Sequence, residues 1–112
     1  MGLVPTANEE RRQHRRHLCS ELVDVSFEDD TGIVVKETGL VEDVSIDGMC
    51  LSFSLPLPLA RAVSIRAEEF SGNGEVAYCE VCDYGYLIGL KFAEGAGWDA
   101  SRWLPQHLLP LG

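Results

Sequence analysis

The chain has 112 residues, 46% of them hydrophobic and 24% charged, and carries a formal net charge of −9. That length fits one domain with a real core, and the composition is that of a globular protein, not of a disordered chain. No apolar run approaches the roughly eighteen residues of a membrane helix, the start "MGLVPTANEE" lacks the pattern of a secretion signal, and the acidic balance opposes broad nucleic-acid binding.

The cytoplasm is therefore the expected compartment. Residues 1–17 read as an N-terminal arm, polar and without a sustained apolar period, and residues 18–112 as the folded body. The arm contains "EERRQHRRH". The first sixteen residues hold four Arg against two Glu, a local charge of +2, while the other ninety-six hold five basic and sixteen acidic residues, a local charge of −11. This separation suggests either a solvated tail or an anion-binding arm.

The body reads as short strands bounded by turn residues. "HLCSELVDVSF" (17–27) predicts a first strand and "EDDTG" (28–32) a turn. "IVVKETGLVEDVS" (33–45) predicts a second strand bent at Gly39, and "SIDG" turns the chain into a third, "MCLSFSL", ended by "PLP". "AVSIRAEEF" (62–70) predicts a fourth strand, and "SGNG" (71–74) is the clearest turn signal. "EVAYCEVC" and "YLIGLKF" flank "DYG" as a hairpin of strands five and six. The tail "GWDASRWLPQHLLPLG" reads as helical, capped by Asp99 or Ser101, with Trp98, Trp103, Leu104 and Leu108 placed to cover an open end and Pro105 interrupting it. The expected fold is mainly β, a small six-stranded antiparallel β-barrel with a mobile N-terminal arm and a C-terminal helix.

Cys79 and Cys82 form a CxxC, which invites a zinc or redox reading. On a strand, positions three apart face opposite sides and lie roughly 10 Å apart. A disulfide needs Cα atoms within about 7 Å, and a structural zinc site wants about four ligands. Cys19 and Cys50 stand in apolar runs, where free cysteine behaves as a small hydrophobe. His14, His17 and His107 show no paired metal spacing, so no metal site is expected.

Two motifs carry chemistry. Arg12 and Arg16 make an RxxxR with Arg11 directly ahead, and Asp43-Val44-Ser45-Ile46-Asp47-Gly48 is a DxSxxG between the second and third strands. Guanidinium groups bind phosphate bidentately, read the guanine edge and stack on a purine. Carboxylates and hydroxyls read donor edges, and glycine permits tight turns and close backbone approach. In this order, and with "GLKF" at 89–92, the motifs resemble those of the PilZ domain family, whose members are receptors for the bacterial messenger cyclic-di-GMP. The resemblance runs over about residues 9–110.

The resemblance implies a cyclic-di-GMP receptor with no cofactor beyond that ligand. Arg12 and Arg16 would clamp phosphate and guanine, with Arg11 as an extra contact. Asp43 and Ser45 would read base or ribose edges, and Gly48 would let the backbone approach the ligand. Ligand would pin the arm, and the change would be relayed to a protein partner. The alternative is an adaptor of the same fold that docks proteins in pilus, flagellar or polysaccharide control without nucleotide. A barrel that binds single-stranded nucleic acid would need an aromatic and basic face, and the strands carry few basic residues. An enzyme is not expected, because no Ser–His–Asp set, metal cluster or phosphate-cradling loop is legible.

Overall fold

The computed structural model describes residues 17–68, 70–93 and 109–110. Seven strands run in the order β1 (His17–Glu28), β2 (Val34–Val44), β3 (Gly48–Phe53), β4 (Ala62–Arg66), β5 (Ser71–Cys82), β6 (Gly85–Phe92) and β7 (Leu109–Pro110). Their spatial order is β2-β3-β6-β5-β4-β1, and β1 also pairs with β2, which closes an antiparallel barrel of six strands. The short β7 adds to the start of β1, at His17 and Leu18.

Alternation of side chains across each strand decides what lies inside. β4 is the simplest case: Val63 and Ile65 are buried while Ala62, Ser64 and Arg66 are exposed. The same parity sends Val23 and Val25 of β1, Met49, Leu51 and Phe53 of β3, and Ile88, Leu90 and Phe92 of β6 into one core. Two edge-on aromatic pairs fill it, Phe27 with Phe53 at 6.3 Å and Phe70 with Phe92 at 6.1 Å. Phe53 lies opposite Tyr86, and Phe92 is six residues further along β6, so the pairs plug heights about 20 Å apart along that strand.

The predicted turn at 28–32 is present. Asp29 Oδ1 accepts from Thr31 N at 2.8 Å, Thr31 Oγ1 at 2.6 Å and Ile33 N at 3.0 Å, which is an Asx turn closing the β1–β2 hairpin. The hairpin of β5 and β6 also forms, with Cys82 opposite Gly85.

Two expectations need correction. "SGNG" is not a turn: Ser71–Gly74 begin β5 and pair with β4, Ser71 opposite Arg66 and Gly74 opposite Val63. A Cβ at Gly74 would sit 2.5 Å from the Lys91 carbonyl oxygen, so glycine serves close strand approach there. The chain reverses earlier, where Ala67 N donates to Phe70 O at 2.7 Å. In the tail, Leu109–Pro110 is strand; the predicted helix otherwise lies outside the described residues, as do Arg11, Arg12 and Arg16.

Candidate functional site

The 43–48 segment is a turn locked by its own groups. Ser45 N donates to Gly48 O at 2.8 Å, and the Ser45 hydroxyl donates to Asp47 Oδ1. Asp47 O in turn accepts from Phe92 N at 2.8 Å, tying the turn to β6. Ser45 is only 4% exposed. Gly48 lies opposite Lys91, and a Cβ there would stand 2.3 Å from the Leu90 carbonyl oxygen. Its bare backbone is needed by β6, within the barrel itself. Asp43 is half-buried at a β-bulge, where β2 slips register against β3 between Val41 and Asp43. The role of Asp47 was not anticipated, although an Asp two residues after a Ser in a turn is a readable signal.

Beside the turn, Cys50, Gly89 and Tyr78 lie in one cross-strand row on β3, β6 and β5. Tyr78 lies over Gly89, whose missing side chain makes room for the ring, and its hydroxyl donates to Cys50 Sγ at 3.3 Å. Cys19 Sγ donates weakly to Val41 O at 3.8 Å. Burial, with the Asp43 carboxylate adding to it, pushes the Cys19 thiol up to about 12. None of the four cysteines is in a disulfide, and among the described residues no group of three or more His, Cys, Asp and Glu is arranged to hold a metal.

A second feature emerges only from strand register. On the outer wall formed by β2, β1, β4 and β5, Thr38, Asp24, Arg66 and Ser71 stand in one cross-strand row. Lys36, Ser26, Ser64 and Asn73 stand in the next. These rows line a groove of about 610 Å³. With strands about 4.8 Å apart, each row spans about 14 Å, and the rows lie about 7 Å apart. Ser64 Oγ and Asn73 Oδ1 are joined at 2.9 Å. A second groove continues it past Ser26, Ser64 and Asn73 to Arg61, which is clamped to Glu28 O and Asp30. Lys36 and Arg66 have no ion-pair partner among the described residues.

None of the groove's residues was singled out from the sequence. They come from four strands and share no local motif. The available signal was parity: in "VDVSF", "VSIR" and "SGN" the residues facing away from the apolar ones are all small or charged and polar.

No helix among the described residues is long and apolar enough to cross a membrane. A search of curated proteins found no match. One family model matches, described as "MftA: Mycofactocin precursor peptide", over residues 24–50, about a quarter of the chain. That stretch runs from the middle of β1 through β2 and the 43–48 turn to Cys50. The match corrects the resemblance argued from RxxxR and DxSxxG: the matching model is not that of the PilZ family. With it go the cyclic-di-GMP receptor, the nucleotide-independent adaptor of the same fold and cyclic-di-GMP as a partner. Physically, the turn's hydroxyl and glycine both have internal partners, which a DxSxxG spacing alone does not reveal. Over residues 24–50 the chain is similar to a mycofactocin precursor peptide, and beyond that stretch the similarity does not extend.

Proposed function

We propose that the chain is a binding module and not an enzyme, and that its recognition surface is the polar groove on the β2-β1-β4-β5 wall. One observation carries the reading: two rows of polar side chains, eight residues from four strands, converge on a groove of about 610 Å³, a volume within the usual range of small-ligand sites. Val25 and Ile65, which alternate with groove residues on β1 and β4, are 0% and 1% exposed, so the backbone that presents the outward side chains is anchored in the core, which lowers the backbone part of the ordering cost of binding.

The test is amide NMR of the labelled full chain with a panel of neutral sugars, sugar phosphates, amino acids and nucleosides. Saturable shifts confined to Asp24, Ser26, Lys36, Ser64, Arg66 and Asn73 support the groove. Shifts that cluster only around residues 43–48, or none from any member, reject it.

The match over residues 24–50 favours a second reading, in which that segment is handled as a precursor peptide. Val25, Val41, Val44 and Met49 are buried there, so a maturing enzyme would reach outward residues such as Ile33, Lys36 and Ile46 but not these four without unfolding the barrel. Limited proteolysis decides: release of an intact 24–50 fragment from native protein favours this reading, and resistance of the segment removes it.

A further inference from the structure

We infer that the groove takes small hydroxylated anions, of which a phosphorylated or carboxylated sugar is the type. This rests on the groove reading and adds the ligand's chemistry.

The protein is strongly acidic, at −9, and the Lys and Arg among the described residues are Lys36, Arg61, Arg66 and Lys91. Three of these four line the connected grooves. Arg61 is already engaged by Glu28 O and Asp30. Lys36 and Arg66 have no ion-pair partner among the described residues, and with Asp24 and Glu37 also in the lining the groove is charge-balanced on an otherwise anionic molecule, with two cations available to a ligand. An ammonium offers point donation and a guanidinium a planar fork, and both suit phosphate or carboxylate oxygens.

Between them lie groups of both hydrogen-bonding kinds. Ser26 and Ser64 each donate and accept, Asn73 does both through its amide, and the carboxylates of Asp24 and Glu37 accept. A ligand rich in hydroxyls satisfies all three kinds of group. By register, Lys36 and Arg66 stand two strands and one pleat repeat apart, about 12 Å at the backbone. Their side chains can close on the two ends of a monosaccharide-sized anion.

Among the described residues no aromatic side chain lines this groove, and the connected one has only the partly buried Phe27, so a nucleobase would find little of the stacking platform that base recognition uses. The site is one for a polyol with charge, not for a nucleotide base.

The experiment is a titration of the full chain, followed by amide NMR, with glucose 6-phosphate, glucose and inorganic phosphate as probes. Glucose 6-phosphate should shift Ser26, Lys36, Ser64 and Asn73 saturably and bind about tenfold or more tighter than glucose, as expected for one charge-assisted contact. Lys36→Ala and Arg66→Ala should each weaken it about fivefold or more, and Lys91→Ala, on another wall, should not. Equal binding of glucose and glucose 6-phosphate overturns the anion assignment while leaving the groove as a site. No shift from any of the three probes, with groove shifts from another member of the wider panel, overturns the ligand class alone. Silence of the groove toward both sets overturns the groove reading as well.

Discussion

Gly48 has little freedom to vary. A Cβ 2.3 Å from the Leu90 carbonyl oxygen forces β3 and β6 apart, so Gly48→Ala should cost about 1–3 kcal/mol, as overpacking usually does. Chemical denaturation measures it, and an unchanged midpoint would show that the strands yield freely. Asp29 makes a pH-dependent contribution. Its hydrogen bonds, foremost from the Thr31 side chain and then from Ile33 N, hold its carboxyl below the usual value. The folded state therefore favours the ionised form, and the gain is present above about pH 4 and lost as pH falls through the lowered folded value. Asp29→Ala should melt below wild type at pH 7, and the gap should narrow below pH 4; a gap constant down to pH 2 would count against the carboxylate. Cys19 has the opposite sign. Its thiol is raised to about 12, so the neutral form is favoured in the fold; that contribution holds below pH 9 and disappears as pH rises from about 9 towards 12. Native protein at pH 8 should label at Cys19 far more slowly than unfolded protein, and equal rates would contradict its burial.

Among the strands, β1 is joined to its neighbours unequally. Its ladder with β2 runs from His17 to Glu28, whereas β4 meets it only at Asp24–Arg66, Val25–Ile65 and Ser26–Ser64. Cooperative opening starts where few backbone bonds must break, so amides on the β1–β4 seam should exchange before those of the β1–β2 ladder. Uniform protection across both would remove the seam as a weak point. A ligand in the groove lies across this seam, so it should slow exchange there first. The "SGNG" misreading also belongs to this scale. Two glycines flanking Asn spell a turn locally, but pairing with β4 and the close approach of β6 give the same residues a strand's role.

In the molecule as a whole, closure of β1 onto β2 makes one core of residues from all six barrel strands. Phe53 contributes to it through its edge-on pair with Phe27, and Phe53→Ala should cost about 3–5 kcal/mol, by lost transfer energy and by cavity. A cost below about 1 kcal/mol would show a core that collapses around the gap. The barrel itself was legible, because inward and outward residues alternate with period two along "AVSIR" and "GLKF" whatever the partner strands are. The Asp29 turn was legible for the same reason, since its bonds close within five residues. The family resemblance drawn from Arg12, Arg16, Asp43, Ser45 and Gly48 was not supported, because spacing does not reveal whether a hydroxyl or a bare backbone is already engaged inside the fold. Sequence by itself determined the strand content and most of the turns, both of which depend on neighbours along the chain. Only the tertiary structure decided that Asp24, Ser26, Lys36, Ser64, Arg66 and Asn73 share one groove. Cross-strand register is set by closure of the whole barrel, and no local stretch encodes it.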